Sequence, residues 1–214
     1  MSDALDLVTS VYHACVRLST GGVTVYVDPL SVSRFGQDAD LVIITHSHSD
    51  HFSPEDVQRV RRPDTTFVTT ADVAERLEEL GVQPEYITVV GCESPTVYLE
   101  EGVAITPVVA QNKNHPIDFG FGAVVELGGY RYYISGDTDV LASDVECDVL
   151  FAVCDGQYNM PQYEQRVVEE LQKMDHLPGI VVPYHYGYLE NTEQNGEKLA
   201  SALTAAGIPN RLLY

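Results

Sequence analysis

Four metal-competent side chains crowd into six residues of the segment Thr45-His46-Ser47-His48-Ser49-Asp50-His51-Phe52. Neutral imidazole is a borderline ligand that suits zinc, and added carboxylate makes a mixed nitrogen and oxygen set suited to zinc, manganese or iron. His46 and His48 stand two apart in an extended stretch, so they point the same way and are able to share one ion. Asp50 and His51 fall after the chain has turned and face a second point. A polar loop whose histidines only cap a helix explains one histidine well. It explains this cluster poorly.

Ligands need fixed ends, and the flanking residues supply them. Residues 41–45 are a continuous apolar run, the pattern of a strand buried on both faces. Beyond the cluster, Ser53 is an N-cap, Pro54 suits the first helical position, and Glu55 and Asp56 favour the positive end of the dipole. This helix is expected to run to about Arg62, where Pro63 stops it. A strand over 66–70, a helix over 71–80 closed by Gly81, and a strand over 86–90 follow. Upstream, the β-rich runs 12–18 and 23–27 join through Ser19-Thr20-Gly21-Gly22, and the second ends at Asp28-Pro29.

The second half repeats the theme. Runs 96–99 and 103–109 are β-rich, and 123–127 and 130–135 are joined at Gly128-Gly129. A buried strand over 149–153, a helix over 161–174, a short strand over 180–182 and a helix over 193–206 capped by Gly207 complete it. The two Gly-Gly turns lie 107 positions apart, and each begins a strand that leads to an aspartate, Asp28 or Asp137. Two similar β-rich halves, each followed by helices, suggest two sheets packed face to face with helices outside. No linker or low-complexity tract divides them, so residues 1–214 are read as one domain of an α/β class with layers of α+β type.

The motif His-x-His-x-Asp-His after a hydrophobic strand resembles the metallo-β-lactamase superfamily, whose members fold as a four-layer αββα sandwich. That resemblance implies further ligands from later strand ends: a histidine, an aspartate and a histidine. His115 follows the run 103–109, Asp137 closes the strand over 130–135 in Gly136-Asp137-Thr138, and His185 follows the strand over 180–182 in Pro183-Tyr184-His185-Tyr186. One ion would then be held by His46, His48 and His115, the other by Asp50, His51 and His185, with Asp137 bridging. His176 does not fit and is read as a surface residue. Tyr12-His13-Ala14, Tyr158-Asn159-Met160-Pro161 and Pro183-Tyr184-His185-Tyr186 are similar to the ascorbate-6-phosphate lactonase-like branch of small metal-dependent hydrolases.

The implied activity is hydrolysis of an ester, lactone or phosphoester bond in a small molecule. Two divalent cations about 3.5–4 Å apart hold a hydroxide between them and polarise the substrate oxygen. Zinc is the first expectation, with manganese or iron as the others. Asp50 would double as ligand and proton acceptor. Asp28 either orients a ligand or makes a plain Asp-Pro turn, and His13 either faces the site or is a satisfied core histidine. Tyr158, Tyr186 and Lys113 are the candidate substrate contacts, within a group that includes Tyr184 and Tyr188. The rivals are a nuclease-type phosphodiesterase of the same fold and a metal-binding sensor or scaffold without turnover. A diiron redox use is disfavoured because His48 stands where Glu is usual.

Composition narrows the partners. Of 214 residues, 12 are Lys or Arg and 32 are Asp or Glu, a net charge of −20 that repels phosphate backbones and anionic lipid. Neither nucleic acid nor membrane is therefore expected. Arg59, Arg61 and Arg62 end a helix whose dipole attracts them, a structural reading rather than an RNA grip. Excess carboxylate with only Lys113, Lys173 and Lys198 as lysines fits a protein kept soluble in high salt, or a plain acidic bias. No apolar stretch is long enough to span a bilayer, and residues 1–6 are acidic without a basic-then-apolar leader. Cys15, Cys92, Cys147 and Cys154 form no Cys-x-x-Cys pair and read as buried free thiols of a cytoplasmic protein.

Overall fold

The computed structural model describes residues 3–99 and 102–214; Met1 and Ser2, part of the acidic start, lie outside the described residues. Two six-stranded sheets form. The first runs in sequence order: β1 (Val8–Tyr12), β2 (Cys15–Ser19), β3 (Thr24–Val27), β4 (Ala39–Ile44), β5 (Arg61–Thr69) and β6 (Ile87–Val89). The second contains β7 (Val97–Tyr98), β8 (Ala104–Val109), β9 (Phe121–Leu127), β10 (Tyr130–Ile134), β11 (Val149–Val153) and β12 (Ile180–Tyr184), ordered β12 to β7 across the sheet. Helices α1 (Pro54–Val60) and α2 (Ala71–Glu79) serve the first sheet, and α3 (Tyr163–Leu171) and α4 (Asn195–Ala205) the second.

Side-chain parity builds the layers. In β3 and β4, Val25, Val27, Leu41 and Ile43 face an interior shared with Ile105, Ala123 and Val125 of the second sheet. Their neighbours Tyr26, Val42 and Ile44 face the opposite way, onto Val57 and Val60 of α1 and Val73 and Leu77 of α2. Period-two alternation therefore fills both faces of the first sheet. Val167 and Leu171 of α3, with Leu199 and Leu203 of α4, join the second sheet's cluster. The result is the αββα sandwich.

Each sheet changes from antiparallel to parallel part-way across. β3, β4, β5 and β6 are mutually parallel, as are β10, β11 and β12. Antiparallel pairing of β8 with β9 and of β9 with β10 sets β8 in the same direction as β10. The loops after β3, β4, β8, β10, β11 and β12 consequently leave at one end of the sandwich, where ligands of open α/β sheets collect.

Two local readings change. Residues 12–18 are not one strand: the chain turns at His13, which takes a left-handed φ of 50°, and β1 pairs back on β2. Pro63 does not stop α1. The helix ends at Val60 because Arg61 turns extended, and Pro63 lies inside β5, where the register with β4 slips. Thr65 bridges the slip, accepting from Arg62 N at 2.7 Å and donating to Ala39 O at 2.6 Å. The arginines are engaged locally: Arg59 with Glu55, Arg61 with Gln58 and Leu80 O, Arg62 with Asp40 and Asp64. All four cysteines are free and buried, His176 is exposed, and no described helix is long and apolar enough to cross a membrane.

Candidate metal centre

Donors from both sheets meet at the common end. The loop after β4 delivers His46, His48, Asp50 and His51. His115 comes from the loop after β8, Asp137 from the end of β10, and His185 from the end of β12. Atoms of His46, His48, His115 and Asp137 lie within 4.8 Å of one another, and so do atoms of His51, Asp137 and His185. Asp137 belongs to both groups. Its Oδ1 is 2.9 Å from His185 Nε2 and 3.1 Å from His51 Nε2, while Oδ2 is 3.8 Å from His46 Nε2 and from His115 Nδ1. Asp50 Oδ2 lies 3.8 Å from both His51 Nε2 and His185 Nε2.

Outer contacts fix these rings. Asp28, buried after β3 with a left-handed φ of 46°, accepts from Thr45 N at 2.7 Å, from the Thr45 hydroxyl at 2.7 Å and from His51 Nδ1 at 2.7 Å. It orients a ring of the site rather than only turning the chain. Because the one hydroxyl hydrogen of Thr45 goes to Asp28, the 3.1 Å contact with His46 requires His46 Nδ1 to donate. That leaves His46 Nε2 as a bare acceptor, buried and with no hydrogen-bond partner. His13 is wholly buried at the β1–β2 turn and reaches Asp50 Oδ2 at 3.1 Å. Its ring packs on that of His185 at 3.9 Å.

Asp155 has no counterpart in the sequence reading. Buried just after β11, it lies 3.3 Å from His185 Nδ1 and accepts from the backbone of Gln157, Tyr158 and Asn159. It stands beside His185 as a charge partner, without the short hydrogen bond that His51 makes to Asp28. A signal was available, since Asp155 is a third aspartate at the end of a strand, after Asp28 and Asp137.

The field at the centre favours positive charge. Burial works against protonating His51 and His185, yet the Asp137 carboxylate outweighs it, helped by Asp28 and Asp155 respectively. His51 is held well above the usual histidine range and His185 is pushed up to about 10. The Asp137 carboxyl stays well below its ordinary range despite burial, because His185 and His51 face it. Burial instead lowers His46 and His115, keeping them neutral as nitrogen ligands must be. A cation entering here would displace the protons of His51 and His185 and take over the positive charge that Asp137 stabilises, so the donor set fits divalent cations.

A cleft of about 380 Å³ opens over the centre, lined in part by His48, Asp50, Tyr158 and Tyr188. Two expected substrate contacts are corrected. Tyr186 is buried away from the cleft, stacked on Tyr214 at 4.4 Å with its hydroxyl donating to Tyr214 O at 2.5 Å. Lys113 is exposed at the tip of a turn that Asn112 closes by accepting from Asn114 N and His115 N, and it does not line the cleft. Tyr184 is likewise structural: its hydroxyl accepts from Gly136 N at 2.9 Å, next to Asp137.

Close backbone approach also matters. A Cβ at Gly120 would stand 2.9 Å from His46 Cβ and 3.0 Å from Thr45 O. Gly120→Ala should therefore destabilise the fold by about 1–3 kcal/mol, the usual cost of overpacking. It should also weaken cation binding, and urea unfolding with calorimetric titration checks both.

Residues 7–185 match the family model described as Beta-lactamase superfamily domain, and the chain belongs to that family. Within it the chain is a member of the UPF0173 metal-dependent hydrolase group. The relative from Methanoregula boonei is 30% identical over 208 residues, covering 88% of this chain and 86% of its own. The one from Thermus thermophilus is 27% identical over 219 residues, covering 94% and 92%. Among solved structures, a Parabacteroides distasonis protein assigned to the metal-dependent hydrolases superposes with a TM-score of 0.79 at 27% identity, over 96% of this chain and 91% of that one.

Proposed function

We propose that the chain hydrolyses an ester, lactone or phosphoester bond of a small molecule with the help of two divalent cations, zinc first among them. The convergence of seven donor side chains, of which His48, Asp50, His115, Asp137 and His185 line one cleft, carries this reading. Its membership among metal-dependent hydrolases supports it. His46, His48 and His115 would hold one ion and Asp50, His51 and His185 the other, with Asp137 reaching both.

When bound, such a pair supplies a water of lowered pKa and polarises the oxygen that gains charge during attack. The chain's own groups do the rest. Asp50 is half-buried and lines the cleft, placed to take the proton that the attacking water gives up. His13 orients that carboxylate through Oδ2. Asp28 holds His51 in fixed rotation through a hydrogen bond, an outer role whose loss typically costs about 10–100-fold in metal affinity or activity, and Asp155 places a carboxylate charge beside His185. Asn114 is exposed on the cleft wall, where its amide is positioned to bind a polar group of the substrate, whereas the buried Asn159 amide is engaged by Asn112 and Asp155.

Elemental analysis of the purified protein, followed by a screen of lactones, phosphodiesters, thioesters and β-lactams, tests the proposal. Chelation should abolish turnover and lower the melting temperature, since an ion present at 100 times its Kd contributes about 2.7 kcal/mol. Two bound ions with no turnover on any of these substrates would favour a sensor or scaffold instead.

A further inference from the structure

We propose that the substrate is an uncharged ester or lactone carrying a flat or apolar group, an inference that rests on the hydrolase reading above. It comes from the cleft wall, away from the donor cluster. At about 380 Å³ the cleft is sized for a small molecule. Its rim presents Tyr158 and Tyr188, 54% and 47% exposed, with Leu189 beside them. The Tyr188 ring lies 5.0 Å from that of His13, which gives it a fixed support. Exposed aromatic faces of this kind bind flat or apolar groups at little cost in side-chain freedom.

Charge selects in the same direction. Among the described residues that line the cleft there is no lysine or arginine, and the uncharged polar groups are Ser49, Asn114 and Asn159 together with the two tyrosine hydroxyls. Asp50, Asp137 and the three histidines that also line it belong to the cation site, and the wall beyond that site is part of a chain of net charge −20. A phosphate or carboxylate remote from the scissile bond therefore meets no counter-charge at the rim and approaches against the protein's field. A neutral acyl compound carries no such penalty.

Matched pairs of substrates test this on the metal-loaded protein. Phenyl acetate, S-phenyl thioacetate and a phenyl-substituted γ-lactone are each compared with the same compound bearing a ring sulfonate, chosen because sulfonate is a poor metal ligand. The neutral member should have a kcat/KM about tenfold or more higher, chiefly through KM, and molar salt should narrow the gap by screening. Tyr158→Ala should raise KM for the neutral member about fivefold with kcat nearly unchanged. Tyr158→Lys should reduce the discrimination against the sulfonate. Equal or better turnover of the sulfonates by the unaltered protein overturns the inference while leaving the hydrolase reading intact. If neither member of any pair is turned over with both ions bound while a phosphodiester of the wider screen is, the inference falls and the hydrolase reading stands; no turnover across the whole screen ends both.

Discussion

Asp137→Ala should lose bound metal and turnover together, by more than the ~10–100-fold typical of an outer-contact partner. Among the described residues, no other side chain belongs to both the four-residue donor group and the group of His51 and His185. Its two oxygens face four imidazoles, with Oδ1 2.9 Å from His185 and 3.1 Å from His51. Alanine removes the larger of the carboxylate charges that raise those two rings, while Asp28 remains beside His51 and Asp155 beside His185. The fold should survive. Elemental analysis, thermal unfolding and turnover measured on one preparation check all three statements, and retained activity would falsify the bridging role.

Asp28→Asn should separate the two ions. The carboxylate accepts three hydrogen bonds within the site, two from Thr45 and one from His51. Asparagine keeps the shape and tolerates the left-handed backbone, but its amide group turns donors toward donors. Leaving a buried donor unsatisfied costs about 1–3 kcal/mol, and the His51 ring loses its orientation. The ion assigned to Asp50, His51 and His185 should weaken about 10–100-fold. His48 and His115 do not touch Asp28, so the other ion should stay bound, with at most a small loss through Thr45 and His46. Calorimetric titration should show stoichiometry falling from two toward one; equal weakening of both steps would contradict the assignment.

The sandwich was legible because its cues are local. Continuous apolar runs gave the central strands β4 and β11, and Gly-Gly turns gave the hairpins of β2 with β3 and β9 with β10. The approach of His115, Asp137 and His185 to the His46 cluster was implied by the family motif and not by any local pattern. His13 was harder to read, because a β-rich run conceals a turn made by a single left-handed residue. Asp155 escaped because an aspartate after a strand is usual in a turn, and only the partner ring from β12 gives it a role. Tyr186 misled for the opposite reason: adjacency to His185 in sequence says nothing about direction. Successive side chains part company at a bend, and this one turns to Tyr214.

The donor cluster straddles the seam of the sandwich. Four of its seven donors hang from the first sheet, and His115, Asp137 and His185 hang from the second. Neither half of the molecule owns a complete nest, and the shared carboxylate lies on the opposite side of the seam from the His-x-His-x-Asp-His motif. Full cation capture thus becomes a property of the assembled sandwich alone, and a nascent or misdocked chain is inert by construction. Cations held there would act as cross-braces between halves that also meet through apolar side chains and through polar links such as His185 N to His13 O and the Tyr132 hydroxyl to Ala4 O.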